Sequence, residues 1–170
     1  RQLLLPQVDL AGQQRLLDSR VLIIGMGGLG SPVAMYLASA GVGHLVLVDD
    51  DRVELSNLQR QIIHHTPALG RNKVDSAAAT LLALNPQVRV TVFNQRLTPD
   101  QLQQQAELAD VMVDASDNFA TRFGLNRAAL ATGTAWVSGA AIRMEGQVTV
   151  FIPTRADSPC YHCLYPDEAQ

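Results

Sequence analysis

Val21-Leu22-Ile23-Ile24-Gly25-Met26-Gly27-Gly28-Leu29-Gly30-Ser31-Pro32 is the stretch that decides the fold. Val21 to Ile24 is a continuous apolar run rich in β-branched residues, the pattern of a parallel strand buried on both faces. Gly25-x-Gly27-x-x-Gly30 follows it, and glycines at that spacing permit a tight turn and close approach of backbone N–H groups to a phosphate. Ser31-Pro32 then opens a helix through Ala40, closed by Gly41; proline in the first turn and glycine just past the end match the usual asymmetry of helix termini.

Working outward, His44 to Val48 reads as a second strand ending in Asp49-Asp50-Asp51. Gly70 to Leu84 carries an apolar stripe of Val74, Ala77, Ala78 and Leu81 at helical spacing, and Asn85-Pro86 stops it. Val88–Phe93, Val111–Asp114 and Ala135–Ser138 are strands, separated by helices over Leu97–Leu108 and Phe119–Thr132. Gln147–Phe151 follows Ile142 by a short turn at Glu145-Gly146, so this last strand is expected to run antiparallel. Ahead of the first strand, Asp9–Asp18 reads as a short helix preceded by an arm, Arg1 to Gln7. Strands alternating with helices predict an α/β, Rossmann-like, doubly wound, mostly parallel sheet, with helices on both faces and an antiparallel edge near the C-terminal end.

A chain of 170 residues with 47% hydrophobic content suits one domain, residues 1–170, with residues 1–18 as N-terminal arm and helix. A formal charge of -3 with no basic run leaves no electrostatic footprint for nucleic acid. No apolar stretch approaches the roughly 20 residues that cross a bilayer, and no secretory signal is visible, so a cytoplasmic protein is expected. Two cysteines are too few for a disulfide framework; Cys160-Tyr161-His162-Cys163 has the spacing of a metal or redox pair, with His162 a competing ligand. The chain lacks an initial Met and stops soon after that pair, so both ends are expected to continue, with 154–170 opening a zinc-binding segment. Twelve of the thirteen basic residues are Arg, which singles out Lys73.

Asp49, at the end of the second strand and about 20 residues past the glycines, is placed to take ribose hydroxyls. These features alone suit an NAD-dependent dehydrogenase or a non-catalytic nucleotide-binding module. A pyrophosphate, however, is held by a helix dipole and backbone with little added cation. Here Ser56-Asn57-Leu58-Gln59-Arg60 follows the ribose Asp and Lys73 opens the next helical segment, which suits a triphosphate. Asp114-Ala115-Ser116-Asp117-Asn118 ends the fourth strand at the same sheet edge. One of its carboxylates is expected to be structural, with Asp114 a candidate cap for the helix from Phe119; Asp117 suits Mg²⁺, a hard cation bound by one or two carboxylates plus phosphate oxygens. His64 and His65, before Thr66-Pro67, have no acid or nucleophile at a telling spacing and read as structural.

Taken together, Gly25-Met26-Gly27-Gly28-Leu29-Gly30, Asp49, Ser56 to Gln61, Lys73, Asp114 to Asn118 and Cys160-x-x-Cys163 resemble the MoeB/ThiF family, related to ubiquitin-activating enzymes. The resemblance spans essentially the whole chain. It implies an ATP-dependent adenylyltransferase that activates the Gly-Gly carboxylate of a small ubiquitin-like sulfur-carrier protein, in molybdopterin or thiamin biosynthesis. Gly28 and Asp49 would contact ATP, and Asn57, Gln59, Arg60 and Lys73 would surround its phosphates, with Gly25, Gly27, Gly30, Ser56 and Leu58 completing the expected nucleotide-binding set. Asp117 would associate with Mg²⁺, with Asn118 as its neighbour. Cys160 and Cys163 would supply half of a structural Zn²⁺ site, the second pair lying past residue 170. Arg1 matches an arginine that the family donates across a homodimer interface, so Arg1, Arg60, Lys73 and Asp117 form the expected catalytic set. Ser138 to Gln147 looks more like MoeB, whereas Cys160 to Asp167 leans toward ThiF.

Overall fold

The computed structural model describes residues 4–6 and 8–166. Helix α1 (Asp9–Asp18) leads into β1 (Arg20–Ile24), α2 (Gly30–Ala40) and β2 (His44–Val48). After two 3₁₀ turns, Leu55–Asn57 and Thr66–Ala68, the chain forms α3 (Lys73–Leu84), β3 (Arg89–Phe93), α4 (Pro99–Glu107), β4 (Val111–Asp114) and α5 (Phe119–Thr132). It continues through β5 (Ala135–Ile142) and β6 (Glu145–Phe151) to the short α6 (Tyr161–Leu164).

All six strands join one sheet in the order β3-β2-β1-β4-β5-β6; every pairing is parallel except β5 with β6. This is the expected Rossmann-like arrangement. Strand order reverses between β1 and β4, and the crevice at such a reversal is where open α/β sheets bind ligands. The period-2 alternation of β1 sends Leu22 and Ile24 into a core beneath α4 and α5, and Val21 and Ile23 into a second core beneath α2 and α3. Trp136 and Phe151, stacked at 4.7 Å between ring centroids, extend the first core to the antiparallel edge.

Several sequence boundaries move for identifiable reasons. Gly70 has φ +79°, a left-handed conformation that cannot continue into a right-handed helix, so α3 starts at Lys73 after Asn72 instead. Thr98 and Gln101 form a reciprocal capping box that sets the start of α4 at Pro99. The hairpin turns at Arg143-Met144 rather than Glu145-Gly146: Ala141 pairs with Gly146 and Ile142 with Glu145, so Glu145-Gly146 belongs to β6. Arg143, with φ +57°, supplies the positive φ that a tight two-residue hairpin requires. Asn118, not Asp114, caps α5, its Oδ1 accepting Thr121 N–H at 2.9 Å.

The glycine turn is a backbone contact. A Cβ built on Gly30 would lie 1.8 Å from the Gly25 carbonyl oxygen, so α2 begins directly against the end of β1. Neither partner is a side chain that can move aside. Gly30→Ala is therefore expected to cost at least about 3 kcal/mol, the upper range of overpacking, and to lower the melting temperature by roughly 6 °C or more. Circular dichroism melting of the variant checks this; a melting temperature equal to that of the native chain would show that the turn relaxes freely.

Candidate nucleotide-binding site

A cleft of about 1190 Å³ opens over the C-terminal ends of β1, β2 and β4. Gly25, Gly27, Gly28, Asp49, Asn57, Arg60, Lys73, Asp117 and Asn118 line it. The structure thus brings together residues drawn from nearly a hundred positions of sequence. Gly30, Ser56, Leu58 and Gln59 are not among the lining residues: Gly30 is buried under the turn, and the other three lie in or just after the 3₁₀ turn on the cleft's flank. Arg1 and Asp167 lie outside the described residues.

Each lining group is held by its element. Asp49 leaves β2 and its carboxylate accepts two N–H groups, Met26 at 2.7 Å and Asp51 at 2.8 Å, tying the glycine turn to the neighbouring loop. Gly27 and Gly28 face open space: an added Cβ would meet nothing nearer than Gln61 at 3.7 Å and Arg60 at 3.5 Å. Their missing side chains clear room in the cleft rather than satisfying the fold. Lys73, 5% exposed at the start of α3, donates to Asp51 Oδ2 at 2.7 Å. Its ammonium is thereby neutralised within the cleft wall.

The two carboxylates of the Asp114-to-Asn118 segment separate cleanly. Asp114 is 1% exposed and accepts bonds from Ser116 N–H, Ser116 Oγ and Ser138 Oγ, with Arg122 Nε at 3.3 Å; it is structural. Asp117 is exposed at the wall, its one hydrogen bond a long 3.4 Å contact from Asn118 Nδ2. Its carboxylate retains the open lone pairs that Mg²⁺ ligation needs.

Several lining residues have no role assigned from the sequence, Gln61 among them although it closes the Ser56-to-Gln61 motif. Gln61, 3% exposed, donates from Nε2 to Asn57 Oδ1 at 2.8 Å, while its own Oε1 has no partner. Arg96, Arg122 and Arg127 also reach the cleft. Five carboxylates, Asp49, Asp50, Asp51, Asp100 and Asp117, therefore face five cations, Arg60, Lys73, Arg96, Arg122 and Arg127, along one wall or another. Solitary arginines, Arg96 in the loop before α4 and Arg122 and Arg127 along α5, carry no sequence signal, so these became visible through the fold alone.

Away from the cleft, Cys160 and Cys163 place their sulfurs 3.4 Å apart. That is too long for a disulfide and close to the roughly 3.7 Å edge of a tetrahedron with Zn–S bonds near 2.3 Å. Burial raises the Cys160 thiol, but hydrogen bonds from Cys163, from the Cys163 and His162 backbone and from Asn126 outweigh it and hold the thiol below its ordinary value. Among the described residues, no third His, Cys, Asp or Glu converges on the pair, so it fits half of a zinc site.

Comparison with known proteins now bears on this geometry. The ThiF family model matches residues 1–170. This chain belongs to the ThiF family. It is 48% identical over 170 residues to the sulfur carrier protein ThiS adenylyltransferase of Escherichia coli K12, covering 100% of this chain and 67% of that protein. It is also 48% identical over 164 residues to the molybdopterin-synthase adenylyltransferase of the same strain, covering 96% and 66%. The crystal structure of E. coli MccB with ATP superposes with a TM-score of 0.81 at 26% identity, covering 89% of this chain and 46% of that one. The chain thus spans about two thirds of the first two relatives and less than half of the third.

His64 lies at the back of the glycine turn. Burial pushes its imidazole below the ordinary range, and Lys73 and His65 act in the same direction, against the Met26 bond and Asp49. The folded state therefore binds fewer protons here than the unfolded chain, whose His titrates near pH 6.5. This contribution to stability is complete above that pH and is lost as pH falls through the lower folded value. Between pH values of about 7.5 and 5.5, the native protein should lose more melting temperature than His64→Gln, and parallel losses would show that His64 is proton-insensitive.

Proposed function

We propose that this chain is the nucleotide-binding part of an ATP-dependent adenylyltransferase that activates the C-terminal Gly-Gly carboxylate of a small ubiquitin-like sulfur-carrier protein. The observation that carries the reading is that Arg60, Lys73 and Asp117 line one cleft together with the glycine turn, in a ThiF-family chain. Residues 1–170 would form one adenylation domain, acting in the cytoplasm, with its zinc segment starting near residue 154. No described helix is long and apolar enough to cross a membrane. The two E. coli relatives are each 48% identical to this chain, so the carrier is named by its terminus and would serve molybdopterin or thiamin biosynthesis.

The chemistry asks little of general bases. A carboxylate is already ionised at pH 7, so its attack on the α-phosphate of ATP requires no proton removal. The bond formed is carboxylate oxygen to α-phosphorus; the bond broken joins α-phosphorus to the α,β-bridging oxygen, and pyrophosphate leaves with that oxygen and the electron pair. What must be supplied is the alignment of two anions and neutralisation of the phosphate charge. Backbone N–H groups of the glycine turn and the N-terminus of α2 would receive phosphate oxygens. Asp49, with lone pairs left beyond its two N–H bonds, would take ribose hydroxyls. Arg60 and Lys73 would draw negative charge toward the leaving pyrophosphate, Lys73 exchanging its Asp51 partner for phosphate. Asp117 would hold Mg²⁺, with Asn118 beside it; the metal, when bound, neutralises phosphate oxygens as a Lewis acid. Cys160 and Cys163 would hold structural Zn²⁺ with two ligands from beyond residue 170. Arg1 would reach the site of a partner subunit in a symmetric homodimer, as the family resemblance implies.

ATP–pyrophosphate exchange by the full-length protein should require both Mg²⁺ and a carrier with a free Gly-Gly terminus. Exchange undiminished by deleting the terminal Gly would sink the proposal. Lys73→Arg should lower turnover despite preserving charge, because a planar guanidinium does not replace a compact ammonium at a buried phosphate contact. By analogy with loss of one preorganised donor, the cost is about 2.7–4 kcal/mol in the transition state, and near-native turnover would remove Lys73 from the site. Mixing Arg1→Ala subunits with Lys73→Ala subunits should partly restore activity, since one composite site of the heterodimer then carries neither lesion. Verified heterodimers without recovery would place Arg1 outside a partner's site.

A further inference from the structure

The glycine turn presents N–H groups to the cleft only if its carbonyls point elsewhere, and the structure shows what turns them. In a planar trans peptide the C=O and the following N–H are antiparallel, so fixing the carbonyl of residue 26 fixes the N–H of residue 27. The Gly27 carbonyl is taken by Ser31, from its N–H at 3.0 Å and its hydroxyl at 2.6 Å, which directs the Gly28 N–H outward. The Met26 carbonyl faces His64 Nε2 at 3.0 Å. On the far side of the ring, Nδ1 lies 3.0 Å from Ser76 Oγ on α3. A carbonyl can only accept, so Nε2 carries the proton and the Ser76 hydroxyl donates to Nδ1.

His64 is 4% exposed and does not line the cleft, so it does not itself contact what binds there. Met26 is anchored in two other ways, with its side chain fully buried and its N–H bound to Asp49. Neither anchor governs its carbonyl. A flip of the peptide between Met26 and Gly27 rotates ψ of one and φ of the other, and at residue 27 the missing Cβ opens the left-handed region at little cost. Such a flip would aim a carbonyl dipole at the phosphate position. Within the described residues, the N–H groups of Gly27 and Gly28 have no hydrogen-bond partner, which leaves both available for a ligand.

We propose that His64 is a positioning residue for nucleotide binding: its Nε2–H, set by Ser76, holds the Met26 carbonyl inward and thereby keeps the Gly27 N–H directed at the phosphate site. The role rests on the nucleotide-binding reading above for its consequence, but the orientation of the peptide can be observed without any nucleotide. Gln at position 64 retains a donor near Nε2, whereas Leu retains none.

Two measurements on the full-length protein decide the matter. In nucleotide-free protein, the Met26 carbonyl carbon and Gly27 amide nitrogen resonances should move in His64→Leu and stay near native values in His64→Gln. In MgATP titrations, His64→Leu should bind roughly tenfold or more weakly, the scale of one hydrogen bond to a charged group, while His64→Gln recovers most of the affinity. Should His64→Leu fail to fold, Ser76→Ala carries the test, since losing the hydroxyl frees the ring to place its proton on Nδ1; the same resonances should move, with a smaller loss of affinity. Unchanged resonances in the folded variants, or MgATP affinity within twofold of native in both His64→Leu and Ser76→Ala, would overturn the role. A native protein that binds no MgATP would instead remove the nucleotide reading, and the resonances would still decide what His64 does.

Discussion

The end of β1 and the start of α2 meet backbone to backbone, with the Gly25 carbonyl where a side chain of Gly30 would have to be. That contact sets how far α2 can advance over the sheet, and so where its N-terminal amides stand. Everything at the cleft inherits this position. The neighbouring strands are fixed by their parallel register to β1, which places Asp49 and the Asp114-to-Asn118 loop at the same edge. A side-chain contact at this point would tolerate repacking; a contact between main-chain atoms does not.

Once that edge is set, its carboxylates divide between holding the site and facing it. Asp114 is engaged by fixed donors and acts as a strut, Asp49 does both, holding the glycine turn while lining the cleft, and Asp117 and Asp51 stand exposed. Asp51 is a special case because its partner is the buried ammonium of Lys73. Burying an unpaired cation costs several kcal/mol, so a buried lysine needs a counterion, and under the proposed function phosphate would take that place. The third member of the Asp49-Asp50-Asp51 run meets that need.

Much of this was legible in the sequence because the signals were local. An unbroken apolar strand, a glycine turn and a proline-started helix specify one βαβ unit, and the same rhythm repeated gives the sheet. Errors came where local signals competed. Gly70 looked like a helix start and is a left-handed turn; Glu145-Gly146 looked like a hairpin turn and is a strand. The site was legible as a set of residue types, since Asp49, Arg60, Lys73 and Asp117 all reach the cleft. Pairings across it were not. That Lys73 answers to Asp51, that Arg122 braces Asp114, or that His64 stands behind Met26 depends on contacts made by folding, with separations from 8 to 38 residues. Spacing carries no information about those.

The balanced ring of charges has a kinetic meaning. Clefts of one sign draw oppositely charged ligands from beyond contact range and lose that advantage in salt. Here five carboxylates offset five cations, on a chain of net charge -3, so the walls offer no excess of positive charge to steer a polyanion. Under the proposed function, a nucleotide would therefore arrive without steering, and its association rate would depend little on ionic strength. On that reading, discrimination among phosphates would then fall on residence, a ligand that fits exchanging Asp51 for its own oxygens at Lys73.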